Sequence, residues 1–572
     1  MIFKVLKDCI ELFSFFEKKQ KIDFYVLILF MVIYSILEII SIGLLIPFVT
    51  IILSPEKIFE FGIFKNFLTI KNFEKINLQV FFTSIFILGI LTANLFRVFV
   101  LYKVGLYSKM IPTYLSTKIY KTIINTNYKD FKNKNSAELV SIITEKMDAL
   151  SGFFFNFLSS TAAFITTVGI ISFLFFLDFR IASICFIGGV SIYLLIGIYV
   201  KKILNKNSFD LSASSFNRIK HIKESFGSIK QLIIDNKQNL YTKIFNLYEF
   251  KFRNAQFIHL FFSSAPRFIV EGLGIIFIAC IILLLSQGFK FEPLMIISTV
   301  GVIAYSFQKL LPNINSIYVW YSSLINYSTF IEELHENLKS FDEINNKLQN
   351  IEFENKLKFQ NKIEVENISF KYNEDGPLII DSKSFIINKG DKIFLKGGTG
   401  SGKTTCLDIL MGLLKPSKGS LKIDGKLISE KNVNLLHEKI AHVPQNIFLL
   451  DGTIKENIIF NFEEKNLDMN SVIESAKLAE IHNFINTLPK KYETRIGEDG
   501  ALLSGGQKQR IGIARALFRN KEILTLDEAT SALDIKTEEK ILNNLNSIDG
   551  ITIIQITHRN LDPISYDQII NF

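Results

Sequence analysis

Six apolar runs, at about residues 22–53, 78–102, 152–177, 181–200, 265–286 and 293–326, decide most of what this chain can become. A helix needs about 20 apolar residues to cross a hydrocarbon core, and every run supplies that length. The first and last exceed it, which predicts tilt or protrusion. Apolar excess accounts for the chain's mean hydropathy of +0.29, and it is concentrated before about residue 326; the remainder reads as a soluble domain. The opening stretch MIFKVLKDCIELFSFFEKKQK has charges scattered through it and no small-residue cleavage site, so the first run is expected to remain as an anchor.

The runs are unevenly spaced. Short loops near Asp178–Arg180 and Gln287–Glu292 alternate with long connections at 103–151 and 201–264, both dense in Lys and Arg. Basic loops stay cytoplasmic, which puts the N-terminus and the C-terminal domain on that side and the partly amphipathic loop 54–77 outside. Lysine-rich cytoplasmic loops account for the net charge of +9, and six spans exclude a nucleic-acid ATPase. The long connections carry few breakers and read as helices that enter the cytoplasm, turn and return. The turn NTNYKDFKNKNSAEL, 125–139, is expected where a soluble domain can push on it. Cys9, Cys185, Cys280 and Cys406 show no metal or disulfide spacing, so the catalytic part is expected in a reducing compartment.

After a charged linker at about 330–361 the pattern changes to short strands and helices. SFIINKGDKIFLKG reads as a strand that leads into GGTGSGKTTCLDILMGLL, which satisfies the P-loop pattern with a helix behind it. The loop residues Gly397, Gly398, Thr399, Gly400, Ser401, Gly402 and Thr405 offer backbone N–H groups to phosphates. Lys403 is expected to reach the β- and γ-phosphates, and Thr404 to ligate Mg²⁺. In EILTLDEATSALD an apolar strand ends in Asp527, suited to the Mg²⁺ shell, and Glu528, suited to polarise an attacking water. ITIIQITHR ends at His558, a candidate contact for the γ-phosphate.

A second glycine loop, Ser504–Gly505–Gly506 followed by Gln507, opens its own helix and has no lysine in P-loop register. One P-loop supplies most of what one nucleotide needs. The economical reading is that a second copy of the chain faces the first, each signature loop closing the ATP on the opposite P-loop.

GGTGSGKTT, the Gln445 of AHVPQN, ALLSGGQKQR, TLDEATSALD and the His558 of ITHR together resemble the motif set of an ATP-binding cassette (ABC) domain. With the spans before it, the chain resembles a bacterial ABC exporter half-transporter. The resemblance implies a six-span α-helical membrane domain of the type IV exporter fold, at 1–329, joined to an α/β P-loop NTPase domain at 362–572. It also implies a homodimer in the inner membrane with two ATPs sandwiched between cassettes. It assigns Tyr372 to adenine stacking, Gln445 to the Mg²⁺ contact, Asp534 to the cross-dimer loop and Glu498 to the partner's coupling helix. Thr525 inside the apolar strand and the ending IINF depart from the family pattern.

Charges inside spans cost about 2.5–3.5 kcal/mol each, so each is a functional candidate. Arg97, Arg267 and Lys309 lie on three different runs, with Glu38 and Glu271 as acids. Three cations in one cavity suit a phosphate or pyrophosphate. Snorkelling of Arg97 and an i,i+4 pair of Arg267 with Glu271 are the plain alternatives. APRFIVEGLG and KLLPNINS resemble the lipid-linked oligosaccharide flippases of bacterial protein glycosylation, which implies a polyprenyl-pyrophosphate cargo bound at these three cations. At 309 a lysine stands where arginine is expected. Export of lipid A, other lipids, drugs or peptides, and an ATP-gated channel or regulator, are the other readings.

Overall fold

The computed structural model describes residues 7, 11, 16–53, 75–132, 134–177, 179–288, 293–349, 356–373, 375–460, 468–557 and 566–572. It divides the chain into two compact units. The first comprises residues 1–126 and 133–345, and the second residues 127–132 and 346–572.

Six long helices of the first unit cover the six apolar runs: α1 (Lys18–Gly43), α2 (Lys75–Ile124), α3 (Met147–Leu177), α4 (Phe179–Gly227), α5 (Gln238–Gly288) and α6 (Pro293–Asn326). Helices α2, α4 and α5 run well past a membrane's thickness, as the breaker-poor connections predict. Among the described residues, Lys18–Ile52, Gln79–Ile124 and Ser136–Phe176 are helical, long and apolar enough to cross a membrane. Side chains such as Leu95 and Leu195, about 70% exposed, suit a lipid environment and not water. The first run is interrupted: α1 stops at Gly43 and a second helix, Leu45–Leu53, begins at once. Pro47 stands in its first turn, where a missing N–H has no intrahelical partner to lose.

The core of this unit is aliphatic and aromatic, built from Met31 and Tyr34 of α1, Ile111, Leu115 and Ile119 of α2, and Phe153 and Leu158 of α3. Helices α1 and α3 approach closely at Gly169, where a Cβ would stand 2.6 Å from Ile39 Cδ1. Much of the stretch expected as a linker is a helix, α7 (Ser328–Gln349), because Ile331, Leu334 and Leu338 supply a buried stripe. Charged groups tie the polar ends together. Arg218 of α4 pairs with Glu145 and with Glu249 at 3.1 Å, and its guanidinium lies 3.9 Å from the Phe252 ring centre. Burial opposes its charge, yet the two carboxylates hold the guanidinium above its ordinary range. Glu333 of α7 accepts from Lys146 at 2.5 Å and from Ser212 at 2.8 Å.

The second unit contains two sheets. β1 (Lys362–Phe370), β2 (Ile380–Asn388), β4 (Lys418–Ile423) and β5 (Lys426–Leu427) form an antiparallel sheet in the order β2-β1-β4-β5. β3 (Lys392–Lys396), β6 (Ile440–Val443), β7 (Ile523–Asp527), β8 (Thr552–Ile556) and β9 (Gln568–Asn571) form a parallel sheet, β6-β7-β8-β3-β9. Every residue of β7 and β8 is buried, as expected of strands covered on both faces. The helix after the P-loop, α8 (Lys403–Leu410), buries Cys406, Leu407, Ile409 and Leu410 between the sheets. Thr525, the departure inside β7, is fully partnered: its Oγ1 lies 2.9 Å from His442 Nδ1 and 3.3 Å from the Ala441 carbonyl. β9 pairs with β3, and the Phe572 carbonyl would meet a Cβ on Gly397 at 2.7 Å. The last strand therefore packs against the start of the P-loop.

Candidate nucleotide site

β3, β7 and β8 end at the same sheet edge, and the residues just beyond them converge there. Two glycines make the first loop possible. Gly400 and Gly402 hold φ of 80° and 97°, and a Cβ at 402 would stand 2.9 Å from the Ile379 carbonyl. Lys403 is buried and donates from Nζ to the carbonyls of Gly397, 2.9 Å, and Gly398, 2.7 Å. Its ammonium is thus held across the loop, and the helix N-terminus of α8 adds positive potential there. Ser401 Oγ is buried with no hydrogen-bond partner among the described residues, an orphan that a phosphate oxygen would satisfy.

The acidic end of β7 reaches this loop. Thr404 Oγ1 donates to Asp527 Oδ1 at 3.4 Å. Burial, then the neighbouring Glu528 charge, raises the Asp527 carboxyl above its usual range, while Thr404 and Lys403 pull it back. Glu528 sits at φ 48°, in the left-handed region that non-glycine residues avoid. Its Oε2 accepts from Gln445 Nε2 at 2.7 Å, which leaves Gln445 Oε1 as an oxygen donor. Thr404, Asp527 and Gln445 are hard oxygen ligands and fit Mg²⁺. Nucleotide phosphates would complete the shell. His558 lies outside the described residues; β8 ends two positions before it.

Tyr372 stands beside the loop, its hydroxyl 3.2 Å from Thr405 Oγ1 and its ring edge-on to Phe370. Its ring also carries a contact that sequence reasoning missed. Lys132, from the short helix Tyr128–Lys132 that belongs to this unit, places Nζ 4.9 Å from the ring centre. Asp408 on α8 is pushed up to about 6 by burial, with Lys132 pulling the other way.

The signature loop is a helix cap. Ser504 accepts at Oγ from Gln507 N at 3.3 Å, and Gln507 Oε1 accepts from Ser504 N at 2.8 Å. It opens α9 (Gly505–Phe518), and Gly506 is held close to the Ala532 carbonyl, 3.0 Å from where a Cβ would stand. Gln509, also missed, ties the two segments: it donates to Ser531 Oγ at 3.1 Å and accepts from Ala532 N at 2.9 Å. Asp534 caps α10 (Ile535–Asn546), accepting from Thr537 N and Oγ1 at 3.0 and 2.7 Å. Glu498 is exposed, in a short 3₁₀ turn.

The three membrane cations do not share one environment. Lys309 is 15% exposed and lies 2.8 Å from Glu38 Oε1, itself 1% exposed. Arg267 pairs at 2.8 Å with Glu271, the i,i+4 partner. Only Arg97 of the three lines a cavity of about 290 Å³ among α1, α2, α3 and α6, mostly apolar but with Asn156, Ser159, Asn313, Asn315 and Ser316 in its lining. A second cavity, about 590 Å³ and almost wholly apolar, is lined from α3, α4, α5 and α6 by residues that include Phe164, Tyr193, Leu310 and Tyr318.

Residues 380–531 match the family model described as ABC transporter. An uncharacterized ABC transporter ATP-binding protein of Bacillus subtilis, YfiB, is 41% identical over 209 residues, 36% of this chain and 36% of its own length. The match thus spans about a third of that relative. A putative export ATP-binding/permease protein of Rickettsia typhi is 28% identical over 513 residues, 87% of this chain and 85% of that protein. The solved structure of a bacterial Atm1-family ABC exporter with ATP bound superposes with a TM-score of 0.76 at 20% identity, over 97% of this chain and 94% of that one. The chain therefore has the fold of an ABC exporter, with a helical membrane region. Its second unit contains an ABC transporter ATP-binding domain, a domain that takes ATP with Mg²⁺.

Proposed function

We propose that the chain is one half of an ATP-driven exporter that works as a homodimer in the cell's inner membrane. The observation that carries this reading is the P-loop Lys403, held by its loop carbonyls at 2.7–2.9 Å, beside the pairs Thr404–Asp527 at 3.4 Å and Gln445–Glu528 at 2.7 Å. In this reading Lys403 exchanges its loop carbonyls for β- and γ-phosphate oxygens, and Thr404, Asp527 and Gln445 hold the metal. Glu528 takes the proton of the attacking water; the Gln445 amide keeps its carboxylate oriented until then. His558 and Tyr372 serve the γ-phosphate and the adenine. Ser504, Gly505, Gly506 and Gln507 cap the ATP of the opposite chain, with Asp534 beside them, because the loop opens a helix N-terminus whose glycine amides lie outside the capping box.

The cargo we assign is amphipathic and lipid-linked, a polyprenyl-pyrophosphate oligosaccharide in the narrowest form. What supports an amphipathic cargo is the pair of cavities that share α3 and α6, one almost wholly apolar and one that carries Arg97 among asparagines and serines. Lys309 and Arg267 would have to trade Glu38 and Glu271 for the cargo's anion. The test is ATPase activity in proteoliposomes with and without that glycolipid, alongside its ATP-dependent movement between leaflets. Movement lost in Glu528→Gln and reduced in Arg97→Gln supports the assignment. ATPase activity without glycolipid movement sinks the cargo and leaves the exporter. A mixed dimer of one P-loop mutant chain and one Ser504 mutant chain should keep one intact composite site; none or two would refute the cross-chain arrangement.

A further inference from the structure

Resting on that exporter reading, we propose that Arg515 is a positioning residue for Gln445. It fastens the segment behind Gln445 to α9, so the signature helix sets where the metal-facing amide stands in its own chain's site. Gln445 needs such a support. It is exposed, two residues past the end of β6, and residues 444–452 are neither helix nor strand. A loop in that state does not by itself hold an amide to the tolerance of a metal contact; groups outside the coordination shell do.

α9 supplies the support at two points, three residues apart and therefore on one face. At the first, Gly512 lets Ile447 lie directly on the helix: a Cβ there would stand 2.4 Å from Ile447 Cδ1, and 3.1 and 3.2 Å from Cγ1 and Cγ2. At the second, Arg515 donates to three oxygens at once: the Phe448 carbonyl at 3.0 Å, the Asn457 carbonyl at 2.8 Å and Asn457 Oδ1 at 3.1 Å. Asn457 is fully buried and extends the hold, accepting from Leu450 N at 2.8 Å and donating to the Leu450 carbonyl at 3.0 Å. Phe460 adds its ring, centred 4.5 Å from the guanidinium. Ile447, Phe448 and Leu450 are thus tied to one helix just behind Gln445, whose Nε2 meets Glu528. The oxygens in these three bonds are neutral, so a lysine keeps the charge and loses the fork that spans them. α9 therefore serves two sites. Its first turn closes the ATP of the opposite chain, and its third holds Gln445 beside the ATP of its own.

The test reads metal binding first, without turnover. The full-length dimer in proteoliposomes is loaded with the non-hydrolysable analogue AMP-PNP, and Mn²⁺ is titrated by electron paramagnetic resonance in place of Mg²⁺. Arg515→Met should weaken Mn²⁺ binding about 10- to 100-fold, the usual cost of removing the support behind a metal ligand. Affinity for AMP-PNP without metal should stay within about 2-fold, a split that a general loss of structure would not give. If the methionine variant fails to fold, Arg515→Lys keeps the charge in place and should show the same split. Turnover then assigns the site. In a mixed dimer with Lys403→Ala in one chain, a single composite site works, on the other chain's P-loop. Arg515→Met in that other chain should cut turnover about 10- to 100-fold; placed in the Lys403→Ala chain it should change turnover by no more than about 2-fold. Equal falls from the two placements, a larger fall from the second, or unchanged Mn²⁺ binding overturn the proposal. A mixed dimer of Lys403→Ala and Ser504→Ala chains runs beside it. No intact site there, or two, sinks the cross-chain reading; one intact site makes a contrary Arg515 result count against Arg515 alone.

Discussion

The two units treat buried charge in opposite ways. In the nucleotide unit Lys403 and Asp527 are buried beside groups that a ligand can replace: two loop carbonyls for the lysine, a threonine hydroxyl at 3.4 Å for the acid. In the membrane unit the buried pair Lys309–Glu38 closes on itself at 2.8 Å. The first arrangement is poised for exchange with a multiply charged ligand. The second neutralises charges that hydrocarbon would otherwise penalise. Burial alone therefore does not mark a binding site; the replaceability of the partner does.

The sharpest way to break this comparison is at the exchangeable end. Glu528→Gln should lower ATP turnover by about 10²–10⁴-fold, the usual worth of a general base, while ATP binding persists. Unchanged turnover would remove Glu528 from that role. At the self-paired end, Lys309→Met leaves Glu38 buried and alone, which should cost about 3–5 kcal/mol of stability in denaturant titrations of the detergent-solubilised chain. Glu38→Leu combined with Lys309→Met should recover most of it, since an apolar pair of similar volume is often neutral. A double variant no more stable than the single one would show that Lys309 already exchanges partners. Smaller again, Gln509→Leu strips the acceptor from Ala532 N and should cost about 1–3 kcal/mol, with hydrolysis falling because the signature helix and the 529–534 segment lose their tie. Stability falling with hydrolysis untouched would make that tie purely structural.

The smallest effect is a pH slope. Burial lowers the His442 imidazole to about 4, only partly opposed by its bond to Thr525. The fold holds it neutral, so its favourable contribution is complete above the ordinary value of 6.5. As pH falls from about 6.5 toward 4 the unfolded chain takes up the proton first, and stability declines. His442→Gln should flatten that part of a melting-temperature profile; an unaltered slope would place the titration elsewhere.

What could be read from the chain follows the range of the interaction. The P-loop is legible because its physics is local: Gly400 and Gly402 must adopt φ that side chains resist, and Lys403 follows at fixed spacing. Arg267–Glu271 is legible for the same reason, as four residues of helix bring them together. Glu38 and Lys309 meet only because α1 and α6 pack, and no periodicity announces that. Gln509 and Lys132 were invisible on similar grounds: each acts on a residue distant in sequence, Ala532 and Tyr372. Thr525 looked like a flaw in an apolar strand until its neighbour on β6, His442, supplied a partner.

The helix Tyr128–Lys132 clusters with the nucleotide unit, while the chain on both sides of it, up to Thr126 and from Asn133, clusters with the membrane unit. It is therefore a yoke and not a tether. A tether fixed at one end goes slack when its anchor shifts; a yoke transmits both push and pull. Along the chain it is joined at both ends, to α2 behind it and to the helix beginning at Ser136 ahead.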